Sequence, residues 1–127
     1  MKASFIIFII LTTILMSACG TGPPTASSDP VDVVQRYLQA KVAGDRDTLA
    51  GLICSIQEAN LDREALSFSG VKAQINDMVC QYTENSNVVT CSGAIVADYN
   101  GENTDFPLVN YTVTQEDGQW KWCGEAP

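Results

Sequence analysis

The sequence contains no histidine, so it lacks the commonest general base and the commonest neutral metal ligand of proteins. Its serine, threonine and cysteine side chains therefore also lack the usual base of a nucleophilic triad. No two cysteines are separated by only two residues, the spacing typical of redox motifs and of zinc knuckles. We therefore expect no metal and no other cofactor.

Basic side chains are scarce, with 7 lysines and arginines against 15 aspartates and glutamates. The resulting net charge of -8 repels nucleic-acid phosphates and the anionic headgroups of membranes. We predict that the protein does not bind nucleic acid, and that its attachment to a membrane does not depend on surface charge.

The apolar run over residues 5–16 is shorter than the roughly 20 residues of a transmembrane helix and matches the core of a signal peptide. It ends in MSAC at 16–19, which resembles a bacterial lipobox with methionine where leucine is usual. This motif predicts a signal peptide over residues 1–18 and a lipidated Cys19 whose acyl chains attach the protein to a membrane. The alternative is an ordinary secretory signal cleaved after Ala18, which would leave Cys19 as a free thiol.

Residues 19–28 are rich in glycine, proline, serine and threonine, so they predict a flexible tether. One folded domain is expected over residues 29–127. Asp29 and Pro30 suit the cap and the first position of a helix that ends at Gly44. Helical periodicity places the apolar residues of this helix toward the core and Lys41 toward water.

Further helical segments follow the first helix. Asp45 can cap a second one, and residues 60–66 predict a short helical turn. The apolar stripe of the second helix contains Leu49, Leu52, Ile53 and Ile56.

From Ser67 onward the pattern changes to the period of two that is typical of strands. A hairpin centred between Asn85 and Ser86 aligns the apolar faces of its two strands, provided that one extra residue forms a β-bulge at Asn76–Asp77. The predicted pairs are Cys80 with Cys91, Tyr82 with Val89, Met78 with Gly93, Ile75 with Ile95, Ala73 with Ala97 and Val71 with Tyr99.

Asp117-Gly118 is the preferred centre of a two-residue hairpin turn. The register of this turn pairs Val113 with Trp122, Gln115 with Trp120 and Thr112 with Cys123. Helices followed by antiparallel strands predict an α+β domain, in which amphipathic helices pack on a curved, cone-shaped antiparallel sheet of about four strands.

Apart from Cys19, four cysteines remain, and an even number in an exported chain indicates disulfides. The hairpin register favours Cys80–Cys91, which leaves Cys54 to pair with Cys123 across the domain. Unbroken strand alternation would point Cys123 away from the face of Trp120 and Trp122, so either the strand changes at Cys123 or the tryptophans do not face the helices.

The segment DVVQRYLQAKVAGDRDTLAGLICS and the terminal EDGQWKWCG resemble the nuclear transport factor 2-like superfamily, and in particular its small bacterial lipoproteins of unknown function. The resemblance covers about residues 29–124 and implies a cone-shaped α+β fold. Enzymes of that superfamily, such as steroid isomerases and dehydratases, use aspartate, histidine and tyrosine side chains inside the cone.

The resemblance makes the cone the candidate ligand pocket, and no catalytic residue is assigned in it. An enzyme could use a tyrosine with a carboxylate such as Asp98, although the register places Asp98 and Tyr99 on opposite faces. The candidate pocket residues are Tyr37, Tyr82, Tyr99, Tyr111 and Trp122.

Three functions are compatible with these features. The first is a non-catalytic, lipid-anchored extracytoplasmic domain that binds a small apolar ligand or an envelope protein. The second is an isomerase or hydro-lyase, which a buried carboxylate beside a tyrosine hydroxyl would favour. The third is a structural accessory domain of an envelope complex, which a filled core would favour.

Overall fold

The computed structural model describes residues 27–127, so the predicted signal peptide, Cys19 and most of the tether lie outside the described residues. The helices are α1 (Pro30–Ala43), α2 (Arg46–Leu52), a 3₁₀ helix (Ser55–Asn60) and α3 (Leu61–Ala65). The strands are β1 (Lys72–Thr83), β2 (Val88–Tyr99), β3 (Glu102–Pro107), β4 (Asn110–Glu116) and β5 (Gln119–Glu125). Over the same range, no helix combines the length and hydropathy required to cross a bilayer.

Both predicted helix caps are present. The Asp29 carboxylate accepts the backbone N–H of Val31 at 2.8 Å, and Asp45 accepts that of Thr48 at 3.1 Å. The apolar stripe of the second helix is shorter than predicted, because α2 ends at Leu52 and the chain enters a 3₁₀ helix at Ser55. That change of geometry turns Ile56 outward, where it is 80% exposed.

The five strands form one antiparallel sheet in which β1, β2, β4 and β5 are successive neighbours. The β1–β2 register includes the predicted Cys80–Cys91 and Ile75–Ile95 pairs, with the predicted irregularity after Asn76. Gly93 lies opposite this bulge with a positive φ of 103°, and a Cβ there would come within 2.5 Å of the Asn76 carbonyl oxygen. Glycine therefore allows β2 to pass close to the bulged backbone.

The fifth strand, β3, was not predicted. All six residues of β3 are exposed, so it has no alternating apolar face by which the sequence could reveal it. It pairs with the second half of β2, whereas β4 pairs with the first half. The backbone of Leu108 and Val109 also bonds to β2, so β3 and β4 together follow one side of β2.

The terminal hairpin has the predicted Val113–Trp122 and Gln115–Trp120 pairs, but its register shifts between Val113 and Tyr111. Tyr111 therefore lies opposite Glu125, and the predicted pair of Thr112 with Cys123 does not form. The irregularity lies beside Gly124, whose φ is +120°.

This irregularity explains how Trp122 faces the helices while Cys123 bonds to Cys54. The segment after α2 lies along the outer edge of β5, where the Cys54 N–H donates to the Trp122 carbonyl at 2.8 Å. The Cys54–Cys123 disulfide therefore joins neighbours along this edge, with Cα atoms 5.2 Å apart. A second disulfide joins Cys80 to Cys91 within the first hairpin.

Two disulfides indicate an oxidising, extracytoplasmic environment.

The helices pack against one face of the sheet, and α1 contacts four of the five strands. Burying this shared apolar face is the main driving force for folding. The buried core contains Val33, Val34 and Leu38 from α1, Leu49 and Leu52 from α2, Val89 and Ile95 from β2, and Val113 and Trp122 from the terminal hairpin.

Candidate functional site

Tyr37 and Lys41 lie one turn apart on α1 and therefore on the same side of the helix. Tyr37 is buried, and its ring stacks on Trp122 with centroids 3.8 Å apart. Such a stacked pair contributes about 1 kcal/mol beyond the area it buries. The stack brings two of the candidate pocket residues together.

A buried carboxylate from α3 meets the Tyr37 hydroxyl. Glu64 is 6% exposed, and its Oε2 accepts the Tyr37 hydroxyl at 2.6 Å. The same oxygen accepts the Lys41 ammonium at 2.8 Å, while Arg63 approaches Oε1 at 3.4 Å. We call Tyr37, Lys41 and Glu64 the helical network. Its mutual contacts offset the cost of taking a carboxylate out of water.

These contacts also set the titration of the helical network. Burial alone would raise the pKa of Glu64, but the hydrogen bonds from Lys41, Tyr37 and Arg63 together with the charge of Lys41 lower the pKa below its ordinary value. Burial, the hydrogen bond to Glu64 and the charge of Glu64 raise the pKa of Tyr37 far above its ordinary value. The network therefore holds an ionised carboxylate and a neutral phenol at neutral pH.

Next to the helical network is a cavity of about 140 Å³, which we call the cone cavity. Tyr37 and Lys41 line it from α1, whereas Glu64 does not. Its remaining lining residues are Leu38, Phe68, Ile95, Phe106, Pro107, Leu108, Tyr111 and Glu125. Phe68 and Phe106 meet edge to face, with centroids 5.8 Å apart.

The cone cavity is also lined by Tyr111 from β4 and by the exposed Glu125 from β5, which we call the strand wall. The Tyr111 hydroxyl accepts only a long hydrogen bond, 3.4 Å, from the Val109 N–H. Burial raises the pKa of Tyr111, and the charge of Glu125 adds to this effect. Across residues 27–127, the Glu125 carboxylate forms no hydrogen bond or ion pair.

The remaining candidate pocket residues lie elsewhere. Tyr82 packs edge to face against Trp120, and Tyr99 is 40% exposed at the end of β2. Asp98 lies on the other side of the sheet, beside Lys72 and Asn103. No tyrosine and carboxylate pair involving Asp98 therefore forms in the cone cavity.

Sequence reasoning missed Glu64, Lys41 and Glu125. Lys41 was expected to face water, but its side chain is 21% exposed and reaches back to Glu64. The four-residue spacing of Tyr37 and Lys41 was the one available signal for this arrangement. Glu64 gave none, because the folding of α3 against α1 brings it to Tyr37 across 27 positions of sequence.

No protein-family model matches the chain, and a search of curated proteins found no match. The fold is similar to the crystal structure of a protein from Shewanella frigidimarina described as a "putative ketosteroid isomerase". The TM-score is 0.51 at 16% sequence identity, and the match covers 76% of this chain and 90% of the other. That neighbour has the nuclear transport factor 2-like fold. The helices and five-stranded sheet of residues 27–127 therefore have the nuclear transport factor 2-like fold, as the sequence motifs predicted.

Proposed function

We propose that the protein is a lipid-anchored, extracytoplasmic binding domain whose cone cavity holds a small ligand without converting it. The observation that carries this proposal is the helical network. A general base works best with a pKa near the operating pH, and Glu64 has a lowered pKa because Lys41 and Tyr37 stabilise its charge. Glu64 also does not line the cone cavity.

The size of the cone cavity supports a small ligand. A volume of about 140 Å³ is below the roughly 300 Å³ at which pockets for drug-sized ligands begin. An apolar cavity of about 150 Å³ can hold a benzene molecule. The ligand therefore has a bound portion of about benzene size.

Binding can be followed by the fluorescence of Trp122, because this residue stacks on the cavity-lining Tyr37. The sequence has 2 tryptophans, so Trp120→Phe leaves Trp122 as the only one. The mature lipidated protein with this substitution, in lipid nanodiscs, is titrated with choline and with its neutral isostere 3,3-dimethylbutan-1-ol. We expect saturable binding of at least one probe.

Ile95→Phe fills the cone cavity and should abolish the binding response. The matched control is Val79→Phe, at a site on β1 that is 58% exposed. Thermal unfolding verifies that each variant folds, and Leu108→Phe provides a second way to fill the cavity. An equal fluorescence response from the Trp120→Phe parent and from the filled variants made in it would contradict a ligand site in the cone.

An isomerase remains the second candidate, because a buried carboxylate does lie beside a tyrosine hydroxyl. Cyclohex-3-en-1-one is a test compound of suitable size for this activity. Its conversion to the conjugated isomer transfers a proton from the α to the γ carbon and is measured by ultraviolet absorbance. We expect no conversion above the buffer rate. Turnover by the wild type that is lost in Glu64→Gln would replace the binding proposal with the isomerase.

The lipid anchor is proposed from the MSAC motif at 16–19. Intact mass spectrometry of the membrane-extracted protein should give a chain that begins at Cys19 and carries diacylglycerol. Cys19→Ala should lack the lipid. An unlipidated wild-type mass beginning at Cys19 would instead support ordinary secretion.

A further inference from the structure

Aromatic side chains form part of the lining of the cone cavity. Four of its lining residues carry rings, namely Tyr37, Phe68, Phe106 and Tyr111. The faces of aromatic rings carry negative electrostatic potential and attract cations. The Lys41 ammonium already lies 5.8 Å from the centroid of the Tyr37 ring.

The charges around the cone cavity also favour a cation. The charge of Lys41 is offset by Glu64, whose carboxylate lies 2.8 Å from the ammonium. Of the two charged side chains that line the cavity, Lys41 is paired with Glu64, whereas Glu125 is exposed and has no ion pair within residues 27–127. The net charge of the chain is also negative.

Glu125 is held beside the rings by the fold. The shifted register of the terminal hairpin sets it opposite Tyr111. Its charge acts on both tyrosines of the cavity and raises the pKa of each. A carboxylate near aromatic rings is a suitable arrangement for a positively charged ligand.

We propose that the ligand of the cone cavity is a small organic ammonium ion, held by the aromatic rings and by the Glu125 carboxylate. This inference rests on the proposed binding function. The cavity volume admits an ammonium head with its short alkyl groups, and any longer substituent would extend toward solvent past the exposed lining residues Phe106 and Glu125.

Choline and 3,3-dimethylbutan-1-ol test this proposal, because they have nearly the same shape and differ in charge. The mature lipidated Trp120→Phe protein is titrated with each probe in phosphatidylglycerol nanodiscs, with Trp122 fluorescence as the signal. We expect choline to bind at least about tenfold more tightly than the neutral isostere. Glu125→Gln should remove most of this preference, whereas Glu84→Gln, in the turn between β1 and β2, should retain it.

Equal affinities for the two probes, or a preference unaffected by Glu125→Gln, would overturn the ammonium proposal while leaving the cone as a binding site. No saturable binding of either probe would reject the proposed binding function and this inference together. Thermal unfolding is the control that tests whether Glu125→Gln folds like the wild type.

Two sources could supply the ammonium group, a free ion or a lipid headgroup. Repeating the choline titration in phosphatidylcholine nanodiscs distinguishes them. A loss of affinity of about threefold or more, dependent on Glu125, would support headgroup competition. Unchanged affinity would support a free ammonium ion as the ligand.

Discussion

The helical network and the strand wall both contribute lining residues to one cavity, and each contains a buried tyrosine and a glutamate. In the helical network, the Tyr37 hydroxyl and the Glu64 carboxylate bond to one another and to Lys41. In the strand wall, Tyr111 accepts only a long bond, and Glu125 forms no bond within residues 27–127. The difference agrees with the proposal that the network stabilises the fold and that the strand wall contributes to ligand binding.

Removal of the central carboxylate of the helical network should have the largest effect. Glu64→Ala leaves the Lys41 ammonium and the Tyr37 hydroxyl without their acceptor. We expect the free energy of unfolding to fall by about 3 kcal/mol, because breaking a buried ion pair strands its partner. Urea denaturation measures the loss.

Glu58→Ala, on the exposed surface of the 3₁₀ helix, is the matched control and should change stability by less than about 0.5 kcal/mol. Equal losses in the two variants would mean that the helical network contributes nothing specific to stability.

The two tyrosines permit a direct comparison by removal of one oxygen atom. Tyr37→Phe removes a 2.6 Å hydrogen bond to a carboxylate and should cost about 2 kcal/mol. Tyr111→Phe removes only a 3.4 Å hydrogen bond from the Val109 N–H. Because Val109 is exposed, water can replace the lost acceptor, and the free energy of unfolding should fall by about 0.5 kcal/mol. Urea denaturation of both variants gives the difference, and a reversed order would contradict the assignment of stability to the helical network.

Acidification should weaken the helical network. The pKa of Glu64 is lower in the folded protein than its ordinary value of about 4.5, so Glu64 is ionised in both the folded and the unfolded state at neutral pH. The charge of Glu64 therefore makes its full contribution to the stability of the fold at neutral pH. As the pH falls below about 4.5, the unfolded state takes up the proton first, so stability decreases until the pH passes below the folded pKa.

Glu64→Gln isolates this contribution from the other carboxylates, including Asp45, whose pKa is lowered by its hydrogen bonds with Thr48. The difference in unfolding free energy between the wild type and Glu64→Gln should narrow in urea denaturation as the pH falls through about 4.5 and below. A gap independent of pH would show that the charge of Glu64 does not contribute.

Local periodicity predicted the register of the β1–β2 hairpin and part of the register of the terminal hairpin, but it did not predict the cavity. The change of phase at Asn76–Asp77 revealed the bulge, because a period of two leaves a visible trace when one residue is inserted. Residues 102–107 left no such trace, since all of β3 is exposed and its pairing depends on the available side of β2. The meeting of Glu64 with Tyr37 depends on tertiary packing, which no local pattern encodes.

Glu125→Gln should have the smallest effect on stability, within about 0.5 kcal/mol of the wild type. The substitution removes a carboxylate that has no partner in residues 27–127 and whose charge raises the pKa values of Tyr37 and Tyr111. Parallel urea denaturation of Glu125→Gln and Glu64→Gln compares the same chemical change in the strand wall and in the helical network. If Glu125→Gln were as destabilising as Glu64→Gln, the Glu125 carboxylate would be a structural group and the strand wall would lose its assignment as the binding side.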